Sequence, residues 1–248
     1  MATALIQGFS RARIAPVSLH NRTHARALAL AERFPALAVF EREQDFDSEP
    51  CPLLLIIPGP AILQLPAARI ERLRRSGRVL VSCANGLPLS LLQTTFPEIH
   101  WVKAIPSVSA AVGRGVTLMA NGTPAVERIF TSLGTVLPIE NDDEIDRLSA
   151  LTSCLPGLLA ATLDEFAHAY GLDERQTREI LLESALGSIL VAQESPASLA
   201  DLVASVANPG GLTETGVSVI RERLPPLLAA MKQAMDARIR DRRARLSR

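Results

Sequence analysis

The chain is poor in the residues that most often announce a chemistry. Its three cysteines, Cys51, Cys83 and Cys154, are widely spaced over 248 residues and form no C-x-x-C pair. That offers neither a disulfide framework nor a zinc site, and it suits a reducing cytoplasm. His20, His24, His100 and His168 stand at no ligand spacing with Cys, Asp or Glu, so no metal centre is expected. An excess of one charge is missing too, since 26 Lys and Arg balance 26 Asp and Glu. Without a global field, neither nucleic acid nor an anionic membrane is implied as a partner. The arginines near the C-terminus are interspersed with Asp236 and Asp241 and read as a solvated helix end. No apolar run is long enough to span a bilayer, and Arg11 and Arg13 interrupt the N-terminus too early for a secretory signal. Ser82, Ser107 and Ser153 lack the context of a nucleophile elbow, which argues against a hydrolase. Aromatic residues are only 4% of a chain that is 48% hydrophobic, so its cores must be aliphatic.

What is present is an alternation. Residues 1–9 carry Ala2, Leu5, Ile6 and Phe9 at helical spacing. Apolar runs at 17–19, 52–58, 79–83, 101–105, 116–120 and 136–139 read as strands. The run at 52–58 is continuous and bracketed by prolines, as a strand buried on both faces would be. Helical patterns at 24–34, 61–76, 87–94 and 125–133 lie between these runs. Such alternation with short connections implies βαβ units and a mostly parallel sheet. Beyond residue 141 only helices are expected, at 144–149, 158–170, 174–193, 196–206 and 213–245. The boundary falls at 139–142. It separates an α/β domain of nucleotide-binding type, 1–140, from an all-helical domain, 141–248. The later helices hold too many apolar residues for isolated surface helices, so a second copy of the chain is expected against them.

One late stretch, Val206-Ala207-Asn208-Pro209-Gly210-Gly211-Leu212-Thr213-Glu214-Thr215-Gly216, breaks the helical run abruptly. Pro209 removes a backbone donor, and the two glycines open conformations closed to other residues. A helix is expected to start at once, with free N–H groups, a hydroxyl and the positive end of a dipole. Two readings stand side by side: a site for a small carboxylate, or a plain connection with Thr213 as helix cap.

These pieces, in this order, resemble the pyrroline-5-carboxylate reductase family. Val206 to Thr213 looks like that family's V-x-S-P-G-G-x-T signature, and Ser195-Pro196-Ala197-Ser198-Leu199 and Asp201-Leu202-Val203 precede it at matching spacing. Val81-Ser82-Cys83-Ala84-Asn85-Gly86 is similar to its S-x-A-A-G turn, and Val102-Lys103-Ala104-Ile105-Pro106 to its R-x-M-P-N strand end. The resemblance implies a Rossmann-like parallel sheet domain followed by an all-α dimerisation domain, with hydride transfer from NADP(H) to a cyclic imino acid. Proline or an analogue would be the product, and the chain would work as a homodimer. It implies Thr213 as the hydrogen-bond donor at the reacting centre, with Asn208, Pro209, Gly210, Gly211 and Leu212 holding the substrate. The Gly211 and Leu212 amides would take its carboxylate. Cofactor contacts fall on Asn21, Arg22 and Thr23, on Ile57 and Pro58, on Cys83, Ala84 and Asn85, and on Pro106. Arg22 would pair with the 2′-phosphate of NADP, where NAD enzymes usually place an acid.

The sequence also departs from the family. A Rossmann domain needs a first strand and a G-x-G-x-x-G/A turn. In the family that turn ends just before the residue matching Met1, so a start set about ten residues late is expected, with a lost pyrophosphate cradle as the alternative. Ile57-Pro58-Gly59 lacks the family's lysine, Asn208 replaces its serine, Ser107 its asparagine, and Leu155 a glycine. Two other readings therefore remain: a sibling reductase of another imine or carbonyl, and a non-catalytic dimeric binding protein.

Overall fold

The computed structural model describes residues 1–49, 53–56 and 60–246, and it divides into two compact units. The first comprises Met1–Pro156 and Ile239–Arg248, the second Gly157–Arg238.

The first unit runs α1 (Ala2–Arg11), β1 (Val17–His20), α2 (His24–Arg33), β2 (Leu37–Phe40), α3 (Glu43–Ser48) and β3 (Leu53–Ile56). It continues with α4 (Ala67–Arg75), β4 (Val79–Ser82), α5 (Leu89–Thr95), β5 (Trp101–Pro106) and β6 (Gly115–Ala120). Last come α6 (Pro124–Thr131), β7 (Gly134–Pro138) and α7 (Asp142–Thr152). β1 and β2 pair in parallel, and the other five strands form one sheet in the order β3-β4-β5-β6-β7. Consecutive side chains on a strand point to opposite faces, and here both faces are covered. Leu80, Trp101, Ile105 and Leu118 pack with Leu73, Leu92 and Ile145 of α4, α5 and α7. Val81, Val102, Ala104 and Met119 pack with Leu5 and Phe9 of α1 and with Val126 and Phe130 of α6. The architecture is thus the expected Rossmann-like sheet domain followed by helices.

Three features differ from the sequence reading. β2 and α3 were not anticipated: Leu37 to Phe40 is a four-residue run directly behind a helix, indistinguishable by periodicity from the helix tail. The pair β5–β6 is antiparallel. Residues 107–114 hold a single 3₁₀ turn, whereas a parallel pair needs a crossover of a dozen residues or more. The sheet is therefore mixed. Where β6 meets β7, Gly134 adopts φ +139° and a Cβ there would run into the Gly115 carbonyl, so the close approach requires glycine.

Side-chain ties fix the helices. Asp47 at the end of α3 is buried and takes both guanidinium arms of Arg69 from α4 at 3.0 Å. α7 starts as its acidic run anticipates: Asn141 caps it, accepting the Glu144 N–H at 2.8 Å, and Asp142, Asp143 and Glu144 fill the first turn. Asn141→Ala should therefore cost about 1 kcal/mol in urea unfolding. An unchanged midpoint would mean that α7 is held without its cap.

The second unit is helical throughout. α8 (Leu155–Ala169) leads to α9 (Glu174–Gln176), which continues through a π-helical stretch at Thr177–Leu182 into α10 (Glu183–Glu194). α11 (Leu199–Val206) and α12 (Leu212–Leu246) follow. α12 runs through Pro225 and Pro226 and ends in the first unit. Among the described residues of the second unit, Ala167 is the one buried apolar residue. Leu199 is 71% exposed and Tyr170 75% exposed. Ile180, Leu186, Ile220 and Leu227 are exposed as well. So much bare apolar surface marks an association face.

Candidate functional site

Most residues expected to meet a cofactor follow the carboxyl ends of strands in the first unit. Beyond β1, Asn21 Oδ1 accepts the Thr23 N–H at 2.8 Å, a local turn that leads into α2. Thr23 precedes α2 in extended conformation without a side-chain cap bond. Arg22 is exposed and has no partner among the described residues. A free guanidinium beside open helix N–H groups is an arrangement suited to an anion.

β4 and β5 are neighbours, with Ser82 opposite Lys103, so the residues that follow each come together at one edge. Ser82, Ala84 and Pro106 are buried there. Burial pushes the Cys83 thiol up to about 12, so it stays protonated at neutral pH and is no nucleophile. Asn85 is half-buried, and its Nδ2 donates to Ser149 Oγ of α7 at 3.1 Å. Asn21 to Thr23 belong instead to the end of the β1–β2 sheet, where His20 Nδ1 meets the Phe40 carbonyl at 3.2 Å. Ile57 and Pro58 lie outside the described residues.

Sequence reasoning missed an ionic cluster beneath this edge. The Lys103 side chain is fully buried, with Nζ 2.7 Å from Asp142 Oδ1 and 4.0 Å from Asp146 Oδ1. Asp142 also accepts the Leu89 N–H at 2.9 Å, at the start of α5. Burial alone would raise the Asp142 carboxyl, but the Lys103 ammonium and the Leu89 amide outweigh it and hold it below its ordinary value. Arg243 of α12 reaches Asp146 Oδ2 at 2.8 Å and pairs with Asp143. A lysine inside an otherwise apolar strand was the available signal, because a buried cation requires a carboxylate nearby.

The residues expected to hold substrate form one turn in the second unit, between α11 and α12. Gly210 has φ +73°, and the Gly211 N–H donates to the Asn208 carbonyl at 2.9 Å. This corrects the expectation for Gly211, whose amide closes the turn and is not open to a carboxylate. The Gly210 N–H donates to Glu214 Oε2 at 2.7 Å. Thr213 is the second residue of α12 and not its cap, since Glu214 already serves the turn. Its hydroxyl is exposed and has no hydrogen-bond partner among the described residues. Leu212 is 95% exposed, and as first residues of the helix Leu212 and Thr213 have N–H groups without intrahelical acceptors. A hydroxyl and two amides thus stand open together at the positive end of a long helix.

Residues 142–244 match the family model described as pyrroline-5-carboxylate reductase dimerisation. The chain is 30% identical over 165 residues to a pyrroline-5-carboxylate reductase from Aquifex aeolicus, covering 62% of each chain. It is 24% identical over 154 residues to one from Synechocystis, covering 58% of this chain and 57% of that one. The chain therefore spans about three fifths of the length of these curated relatives. Its fold superposes with TM-score 0.79 on the Plasmodium falciparum pyrroline carboxylate reductase solved with NADP bound, at 18% identity, over 98% of this chain and 93% of that one. Among the described residues no helix is long and apolar enough to cross a membrane. With an α/β unit, a matching dimerisation segment and the Pro-Gly-Gly turn in the same order, the chain is similar to the pyrroline-5-carboxylate reductases, and residues 142–244 carry their dimerisation domain.

Proposed function

We propose that the chain is an NADP(H)-dependent reductase that converts 1-pyrroline-5-carboxylate, or a close cyclic imino acid, to proline or its analogue in the cytoplasm. The observation that carries this reading is the uncommitted Thr213 hydroxyl beside the open Leu212 and Thr213 amides. The substrate carboxylate would sit on those amides, and the hydroxyl would hydrogen-bond the ring nitrogen as the C=N bond becomes a C–N bond. NADPH, when bound, supplies the hydride that goes to the imine carbon, and the nitrogen takes a proton. The chain's part is to orient the imine and stabilise charge at nitrogen, which needs no strong base. Arg22 and the N-terminal amides of α2 fit the 2′-phosphate, which supports NADP over NAD. The exposed apolar side chains of the second unit support a homodimer formed through residues 141–248.

The test is an NADPH-oxidation screen over cyclic imino acids. The expected result is turnover of 1-pyrroline-5-carboxylate, faster with NADPH than with NADH. If the chain oxidises NADPH with no cyclic imine, the reductase reading fails and a dimeric binding protein takes its place.

A further inference from the structure

We propose that α7 braces the turn 83–88 against the cofactor, with Ser149 as the positioning residue; the inference rests on the reductase reading above. The turn is tied to this one helix at two points. At its centre Asn85 Nδ2 donates to Ser149 Oγ at 3.1 Å, and Ser149 is buried. Just past its end, the Leu89 N–H donates to Asp142, at the start of α7, at 2.9 Å. Between the two anchors lies Gly86 at φ +78°, the one residue of the turn in a left-handed conformation. Ala84 and Leu87 are packed into the core on either side, so Asn85 and Gly86 are the part of the span that the Ser149 bond fixes.

α7 is suited to the task because it is itself fixed on two sides. Lys103 of β5 holds Asp142 from within the sheet, and Arg243 holds Asp146 and Asp143 from the C-terminal segment. Ser149 Oγ also lies 2.9 Å from the Asp146 carbonyl and can donate to it, which leaves its lone pairs toward the Asn85 amide. The Asn85 side chain is therefore a tether and not a hand extended to ligand. Its backbone and those of Cys83 and Ala84 are the part of the turn left to face NADPH. Fixing a binding loop in its bound shape raises affinity by reducing the ordering that binding would otherwise require.

The experiment is NADPH titration followed by fluorescence, with steady-state kinetics, on the full chain in four forms: the parent, Ser149→Ala, Asn85→Ala and the double variant. Loss of one neutral hydrogen bond should raise KM for NADPH about 5-fold in Ser149→Ala. kcat and KM for the imino acid should stay near those of the parent, and the melting temperature should fall by no more than about 2–4 °C. In the Asn85→Ala background, Ser149→Ala should add nothing, because the tether is already gone. An unchanged KM for NADPH in Ser149→Ala overturns the proposal, as does an equal loss in both backgrounds. A fall in kcat with KM for NADPH unmoved overturns it too. A parent that neither binds NADPH nor reduces any cyclic imine overturns the reductase reading, and this one with it. A parent that does both while Ser149→Ala matches it overturns this one alone.

Discussion

Lys103→Met should lower the unfolding free energy by about 3–5 kcal/mol, the range for breaking a buried ion pair by removing one partner. Methionine fills nearly the same volume, so the loss will report charge and not a cavity. The ammonium is fully buried and stands against two carboxylates, Asp142 at 2.7 Å and Asp146 at 4.0 Å. Removing it leaves Asp142 on the Leu89 and Ser90 amides alone, in surroundings that oppose its charge. Asp146 keeps Arg243 and should suffer less. The pH dependence checks the assignment. In the parent, the Asp142 carboxyl is held below its unfolded value. Its contribution is then fully present above the unfolded pKa of about 3.9 and is lost as the pH falls through the folded one. In Lys103→Met burial prevails and the folded pKa rises, so the gap between variant and parent should narrow on acidification. Urea titrations at neutral and acid pH measure this. A gap that does not change with pH would place the cost in packing and not in the ion pair.

Thr213→Ala should reduce kcat with 1-pyrroline-5-carboxylate by about 10²–10³-fold, the loss found when one preorganised donor to developing charge is removed. The same variant should leave folding untouched. The Thr213 hydroxyl has no partner among the described residues, and the turn before α12 is closed by Asn208, Gly211 and Glu214. Activity and stability should therefore separate cleanly. Thr213→Ser keeps the donor and should retain most of the turnover. NADPH oxidation and thermal unfolding, measured on both variants, decide it. A drop in melting temperature alongside the drop in rate would make Thr213 a structural residue. Unchanged turnover in Thr213→Ala would remove it from the reacting centre altogether.

How far the sequence could be read follows from the range of each interaction. The strand–helix alternation and the helical second half were legible because hydrophobic periodicity is local. So was the break at Pro209 and Gly210, where two residues announce their own backbone conformations. β2 escaped because four residues carry too few periods to tell a strand from a helix end. The antiparallel β5–β6 pair was in principle available, since eight residues between strands leave no room for a crossover. The cluster under β5 was half visible: Lys103 in an apolar run demanded an acid, but nothing local named Asp142. Arg243 reaches Asp146 across 97 positions of sequence, and no pattern spans that distance. At the turn, residue identities suggested open amides, while only the folded backbone revealed that the Gly211 N–H was already engaged.

The near-absence of an interior in the second unit has a thermodynamic consequence. A helical unit whose one buried apolar residue is Ala167 cannot offset the entropy of ordering its own helices. Its share of the folding free energy must come from whatever covers Leu199, Ile180 and Leu227, so it belongs to an encounter and not to a single chain. Its apparent stability then follows the logarithm of chain concentration, and melting temperatures for this half of the molecule have meaning only with that concentration stated.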